Sequence, residues 1–483
     1  MEEIKKIVKI FEIIFAVIFK IIDGVLGIFN YKEKGVYNAE FASSSKVFSF
    51  FSDYGFCLTG KKNLSVKDSY QNAIVIGGTG TGKSSVVLIP SIFTMKSSLI
   101  VHDPAKELFY KTSNYLNSKN IKVKVLNFAD PSVSSNYNPL ARANSSSEIQ
   151  KIASMLVQNG LGENNNKENF WNIQATSLLA MLITILKKQD LEYQNLYNVR
   201  HLLNSLGGNP EAVDSLFSKY ADEILFAEYK SFISYDEKII SSIIATCKAS
   251  LQIFSDESIA KITSSDNLDF MEFRNRRTVL FIQNSVADQK YYSVLTSIFF
   301  EQFFSFIMSR FPKNDEEDIF FLVDEASSLR LPTLSLAVAN VRKHRAGIML
   351  LLQDFNQLVH NYGKYEADGI KANCYAKMYF TGASLETTTD LEKTLGKYEY
   401  VDKEEKKHVR PLMTGDEIRT MSKDEALLIC GHHNPIKLKL VPYYKNFYLS
   451  DYGNLAPLEL ASQNNTDSIS LLPLNVPEKV KNE

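Results

Sequence analysis

The sequence predicts an α/β fold in which a parallel sheet is interrupted by a block of helices. Three observations carry this expectation. Short apolar runs recur at 73–76, 99–102, 123–128, 278–283, 319–324, 348–353 and 378–381. Each is continuous rather than alternating, as in strands covered on both faces, and helical stretches separate them. Between about 146 and 265 the runs stop and helical periodicity takes over, most clearly over 168–188 and 239–254.

The elements follow in order. Residues 4–29 are rich in Ile, Phe and Val, with Lys5, Lys9, Glu12, Ala16, Lys20 and Asp23 forming a narrow stripe at helical spacing. No small-residue cleavage site follows, which argues against a secretory signal. Glu12, Lys20 and Asp23 each cost up to ~3 kcal/mol near a helix centre, while each apolar residue returns only ~0.5 kcal/mol, so a simple membrane span is not favoured. The readings are a helix in a membrane interface or against a partner, or one packed on the protein itself. The expected organisation is this amphipathic helix over 1–30, then a polar, Ser-rich connector over 31–72. An α/β domain in two parts, 73–145 and 266–450, encloses an all-α insertion over 146–265, and a flexible tail covers 451–483.

Composition narrows the classes. Of 483 residues, 45% are hydrophobic and 23% charged, which excludes a disordered or fibrous chain. With 54 Lys+Arg against 55 Asp+Glu, there is no global basic field, and nucleic-acid contact has to come from local patches. Cys57, Cys247, Cys374 and Cys430 form no CxxC pair, which argues against a disulfide scaffold or a structural zinc site and fits a reducing compartment.

Residues 77–84 read GGTGTGKS, which fits G-x-x-x-x-G-K-[ST] between a strand and a helix, the context the motif requires. Gly77, Gly78, Gly80 and Gly82, with Thr79 and Thr81 between them, let backbone N–H groups turn inward around phosphate oxygens. The helix N-terminus from Ser84 and Ser85 adds partial positive charge. Lys83 is expected to reach the β- and γ-phosphates, and the Ser84 hydroxyl to hold Mg²⁺. The apolar run 319–323 ends in Asp324-Glu325. An acidic pair at the end of a buried parallel strand suits Asp324 as a Mg²⁺ ligand and Glu325 as the general base for an attacking water; a helix N-cap is the plainer alternative. Gln353 ends another strand and is expected to sense the γ-phosphate, against the alternative of a strand-terminating turn. Asp103 reads as local structure beside the site.

Other features stay open on residues alone. Arg342-Lys343-His344-Arg345 is either a solvated helix end or a source of an arginine that completes a neighbouring subunit's site. Arg274-Asn275-Arg276-Arg277 is either a phosphate-contacting cluster or a charged turn. His432-His433 lacks a regularly spaced third ligand, and Trp171 is expected in the core of the insertion.

Taken together, an ordered series of segments resembles the coupling-protein ATPases of bacterial type IV secretion and conjugative DNA transfer, the TraG-like family. The series is GGTGTGKSSVVLIPSI at 77–92, HDPAKEL at 102–108, YNPLA at 137–141, Phe170-Trp171, FLVDEASSLRLPTLSLAVANVRKHRAGIMLLLQDFNQL at 321–358, and RPLMTGDEIRTMSKDEALLICGHHNPIKLKLVPYY at 410–444. The resemblance implies a RecA-like P-loop nucleotide-binding domain carrying an all-α domain. It implies a hexameric ring that hydrolyses ATP with Mg²⁺ and moves DNA, single-stranded or relaxase-bound, and protein substrates into the secretion channel. It carries functional roles onto Lys83, Ser84, Asp324, Glu325 and Gln353, and by position after the Leu-Pro turn at 331–332 it makes Arg342 the trans-acting arginine. The family usually begins with two transmembrane helices, whereas one charged amphipathic segment precedes the ATPase here. Peripheral anchoring, a partner's anchor and a missing start are the open readings, and the expected place is the cytoplasmic face of the inner membrane. Two alternatives stand beside this: a cytosolic FtsK/HerA-like DNA translocase, and a nucleotide-dependent scaffold that does not hydrolyse, against which Glu325 speaks.

Overall fold

The computed structural model describes residues 37–48, 54–160, 170–284, 288–461 and 469–474; the helix expected over 1–30 lies outside them. The described residues divide into two compact units, one of 37–41 and 385–418, the other of those within 42–384 and 419–474.

The larger unit is built on one nine-stranded sheet. Its strands in chain order are β1 (Ala73–Ile76), β2 (Ser98–His102), β3 (Lys122–Asn127), β4 (Thr278–Gln283), β5 (Ile319–Val323), β6 (Ala346–Leu352) and β7 (Ala376–Phe380). In the smaller unit follow β8 (Lys397–Val401) and β9 (Lys407–Pro411), and the larger unit resumes with β10 (Glu425–Cys430) and β11 (Ile436–Lys439). The order across the sheet is β11-β10-β7-β1-β6-β5-β2-β4-β3. Strands β7 through β3 in this order pair in parallel, while β10 pairs antiparallel with β7 and with β11. Every residue of β1, β2, β4, β5 and β6 is buried, which is why their sequences are continuous apolar runs. The edge strand β11 alternates buried and exposed residues instead, with Lys437 and Lys439 outward.

Between β3 and β4 the chain leaves the sheet for a helical layer that, among the described residues, runs from Ser146–Gly160 through Phe170–Leu186, Leu196–Gly208, Pro210–Tyr220, Glu223–Ile233 and Glu237–Ser250 to Glu257–Ser264, and returns by the short helix Glu272–Asn275. Helix Phe170–Leu186 buries Leu178, Leu179, Leu182, Ile183 and Leu186 on several sides, as a central helix must. The long helix Gln289–Ser309 joins this layer to the sheet. It lays Phe300 against Phe321 of β5 at 6.2 Å and meets Tyr137 through Phe299 at 5.3 Å and a 2.6 Å bond to Gln302. Trp171 departs from expectation: it is 39% exposed beside the exposed Phe170, because both stand on the helix's first turn, outside the packed interior.

Two further expectations are corrected. Residues 54–72, read as a connector, place Phe56, Leu58 and Leu64 fully inside, with Phe56 edge-on to Phe320 of β5 at 5.3 Å. The tail read as flexible is held where it is described. The Leu458 N–H donates to Ser113 Oγ at 3.0 Å. Farther on, the Asn198 side chain accepts from the Leu472 N–H at 2.9 Å and donates to the Ser470 carbonyl at 3.0 Å, burying Leu472. A side-chain amide thus pairs with this segment as another strand would.

In the smaller unit β8 and β9 form a hairpin from Lys397↔Pro411 to Val401↔Lys407, closed where Asp402 Oδ1 accepts from Glu404 and Lys406 N–H groups. Asn38 bridges to Tyr398, and helix Leu385–Leu395 offers Glu392 to the Gly415 N–H at 2.6 Å. Among the described residues no helix is long and apolar enough to cross a membrane.

Candidate nucleotide site

The parallel register fixes what stands together. Ile76 is level with Leu352, and His102 with Val323, while Val323 is level with Leu350, so β1 and β6 end together two residues beyond the ends of β5 and β2. Beyond those ends come the 77–83 loop, Gln353, Asp324-Glu325 and Asp103 in that spatial order. Neighbouring strands lie ~4.8 Å apart, which puts the loop's strand about 10 Å from the acidic strand with Gln353 between them. The edge beyond the carboxyl ends of parallel strands is where α/β folds bind ligands.

The loop is shaped by its glycines at three places. Gly80 and Gly82 have φ of +74° and +95°, in the region L side chains rarely adopt, and a Cβ on Gly77 would lie 2.7 Å from Phe380 Cβ. Thr81 Oγ1 donates to the Gly78 carbonyl at 2.8 Å, and Ser85 Oγ to the Gly82 carbonyl at 3.1 Å. Thr79 is exposed at the tip. The following helix opens with a π-wound turn, Ser84–Leu88, where the Ile89 N–H reaches back five residues to the Ser84 carbonyl, and continues as Ile89–Thr94. Lys83 Nζ donates to the Gly77 carbonyl and, at 3.1 Å, to that of Gly78. Burial holds the Lys83 ammonium below its ordinary pKa, opposed by attraction to Asp324 and Glu325.

On the acidic side, burial foremost and then the Glu325 charge push Asp324 up to about 6, against the Glu325 N–H that its Oδ1 accepts at 3.0 Å. Glu325 itself takes a left-handed conformation, φ +48°, a strained placement that turns the chain sharply after β5. Its carbonyl accepts from both the N–H and the hydroxyl of Ser328, at 2.9 and 2.7 Å. His102, the last residue of β2, is fully buried, with burial pushing its pKa down to about 4. Its Nδ1 lies 2.7 Å from the Asp324 carbonyl, so Nδ1 carries the proton. Asp103 accepts from the Leu108 and Phe109 N–H groups at 3.1 and 2.8 Å, and burial pushes it up to about 7. Asp354 caps helix Phe355–Tyr362 through the Asn356 N–H, leaving Gln353 half-buried at the strand end.

The structure therefore brings together the loop residues, Lys83, Ser84, Asp324, Glu325 and Gln353. Arg342 is not among them. It lies exposed before the start of β6, bonded to Gln71 Oε1 at 3.1 Å, at the opposite edge of the sheet. A strand of this length at ~3.3 Å per residue places it about 20 Å from its own chain's loop. In the basic cluster at 274–277, Arg274 and Arg277 are structural, while Arg276 is exposed. Arg274 is 2% exposed and donates to the Glu317, His344 and Arg345 carbonyls, and Arg277 donates to the Met95 carbonyl. His432 and His433 sit on the turn after β10, and no three-ligand metal cluster occurs among the described residues. Sequence reasoning missed His102, although a histidine closing an otherwise apolar buried strand was a visible signal.

An ATP–Mg²⁺ pair fits these residues. The cradle at Gly77 admits no side chain, and a hydroxyl and a carboxylate, Ser84 and Asp324, form a hard-oxygen donor set.

Comparison with known proteins adds the following. The family model described as type IV secretory system conjugative DNA transfer matches residues 31–473. Protein VirD4 of Agrobacterium fabrum is 22% identical over 403 residues, 78% of this chain and 59% of its own length. The type IV secretion system-coupling protein VirD4 of Bartonella henselae is 21% identical over 412 residues, covering 77% of this chain and 62% of its own. The chain thus spans about three fifths of these relatives' length. Among solved structures, the bacterial conjugative coupling protein TrwBdeltaN70 with sulphate superposes at a TM-score of 0.69. It has 17% identity and covers 90% of this chain and 99% of its own. Plasmid coupling protein TrwB in complex with ADP and Mg²⁺ does so at 0.67, with 17% identity over 84% and 96% of the two chains. At these identities the likeness is one of fold, the RecA-like P-loop fold with a helical domain. With the family model matched over residues 31–473, the chain belongs to the type IV secretory system conjugative DNA transfer family.

Proposed function

We propose that the protein is an ATP-hydrolysing coupling protein that delivers DNA, single-stranded or relaxase-bound, or protein substrates to a type IV secretion channel. The observation that carries this is the meeting of Lys83, Ser84, Asp324, Glu325 and Gln353 along one sheet edge. Relatives named as secretion coupling and conjugal transfer proteins support the transport half.

In this reading the loop N–H groups and Lys83 hold the phosphates, and Lys83 exchanges its carbonyl partners for phosphate oxygens. Ser84 and Asp324 would hold Mg²⁺, which would supply charge neutralisation at the phosphates. Glu325 accepts the proton of the attacking water, and Gln353 orients that water or the γ-phosphate from between the two strands. Arg342, remote from its own loop, acts on the site of an adjoining copy in a hexameric ring, stabilising transition-state charge. The ring works at the cytoplasmic face of the inner membrane, attached through 1–30 or through a partner. Structures of TrwB with an ATP analogue and with ADP and Mg²⁺ support the choice of nucleotide and cation.

The test is steady-state ATP hydrolysis against protein concentration, with and without single-stranded DNA, beside Lys83→Ala. The expected rate rises more steeply than linearly, is stimulated by DNA and is lost in the variant. Full substrate transfer in the host by the Lys83→Ala chain would overturn the proposal.

A further inference from the structure

The β2–β5 ladder ends at the pair His102↔Val323: the Asp103 N–H serves β4 through the Ile282 carbonyl, and the next residue due to face β5 is Pro104, which has no N–H to donate. The Asp324 carbonyl is therefore left without a backbone partner on β2. His102 supplies one from its side chain, Nδ1–H donating at 2.7 Å, while its own carbonyl accepts the Asp324 N–H at 3.4 Å. One residue thus grips both ends of Asp324's backbone. The other ring nitrogen, Nε2, is buried with no hydrogen-bond partner among the described residues, and the ring stands edge-on to Phe300 at 6.3 Å. An aliphatic side chain would fill this place without orphaning a polar atom. What the imidazole adds is the single bond to Asp324, at the residue before the left-handed turn of Glu325.

We propose that His102 is a positioning residue for hydrolysis, holding the Asp324–Glu325 peptide so that both carboxylates face the phosphate loop. It touches neither nucleotide nor water and acts through Asp324. The inference rests on the hydrolytic reading of the site above.

Two variants separate the bond from the packing. His102→Leu keeps bulk and removes the donor; His102→Asn places an amide N–H near the position of Nδ1. Steady-state kinetics should show kcat for His102→Leu falling about tenfold or more, with KM for ATP within about threefold of the parent. His102→Asn should recover most of the loss. Amide hydrogen exchange over 319–330 gives a readout that needs no turnover. Exchange should quicken at 324–328 in His102→Leu and stay near the parent's rate in His102→Asn. Equal kcat and equal exchange in the two variants, whether high or low, would overturn the positioning role. If the unaltered protein hydrolyses no ATP, the hydrolytic reading fails, and the exchange comparison still decides whether His102 holds the turn.

Discussion

Asp324 is kept at a cost to the fold, and removing its charge exposes that cost. Its carboxyl is pushed from an ordinary 3.8 up to about 6, chiefly by burial and then by the adjacent Glu325 charge. A carboxyl raised in the folded state binds its proton more tightly there than in the unfolded chain. Its contribution to stability therefore falls as pH rises from 3.8 to 6, and the full penalty stands above 6. Linkage over that shift gives a penalty of about 3 kcal/mol at pH 7.5 and about half that at pH 5. Asp324→Asn keeps the shape and stays neutral. In EDTA, without nucleotide, the variant should melt higher than the parent at pH 7.5, by a few degrees. The gap should shrink by about half at pH 5, because the parent is then largely protonated at this site. With ATP and Mg²⁺ added at pH 7.5 the order should reverse, since only the parent binds the cation through a carboxylate. Differential scanning fluorimetry of both proteins across this grid is sufficient. A variant that melts lower in EDTA at pH 7.5, or a gap that does not change with pH, would refute the argument from burial.

Three further outcomes are expected. Gly77→Ala drives its methyl into Phe380 Cβ at 2.7 Å and Thr81 Oγ1 at 3.0 Å; at about 1–3 kcal/mol of overpacking, a fluorescent ATP analogue should bind about tenfold more weakly in titration. Arg274→Ala removes the guanidinium from three carbonyls, so urea unfolding should show a loss of about 3 kcal/mol. DNA affinity at low salt should not change, because that side chain is buried. Mixing two separately inactive chains, Lys83→Ala and Arg342→Ala, should restore part of the ATPase activity, since an intact loop then meets an intact arginine from the neighbouring copy. No recovery at any ratio counts against action in trans.

What could be read from the sequence was what repeats locally. Strands β1, β2, β4, β5 and β6 are buried on both faces, so each announces itself as an apolar run, and β1, β5 and β6 carry candidate site residues just past their ends. The loop and the acidic pair were legible for that reason. The hairpin β8–β9 was not, because its exposed faces admit Lys, Glu and His throughout. Nor was β11, four residues long with alternate lysines. Phe56, Leu58 and Leu64 are scattered among polar neighbours, and only the folded sheet shows the core they join, with Phe56 against Phe320. Arg274 looked like a surface cation because its three carbonyl partners come from 317, 344 and 345. The bond from His102 to Asp324 joins residues 222 apart, beyond any local pattern.

The order of strands also sets a timetable for synthesis. Strand β1 lies between β6 and β7, so the strand carrying the phosphate loop has no partner on either side until residues 346–380 have been made. At about 5–20 residues per second, the roughly 270 residues between Ile76 and Ala346 take about 15–60 s to follow. Through that interval Ala73–Ile76 is an unpaired, wholly apolar strand, while the helices of 146–264 have already emerged and can close locally. The nascent chain can thus close its helical layer before its nucleotide loop is flanked on both sides. Ribosome-bound chains that end before β7 should recruit holdase chaperones and fail to be retained on immobilised ATP.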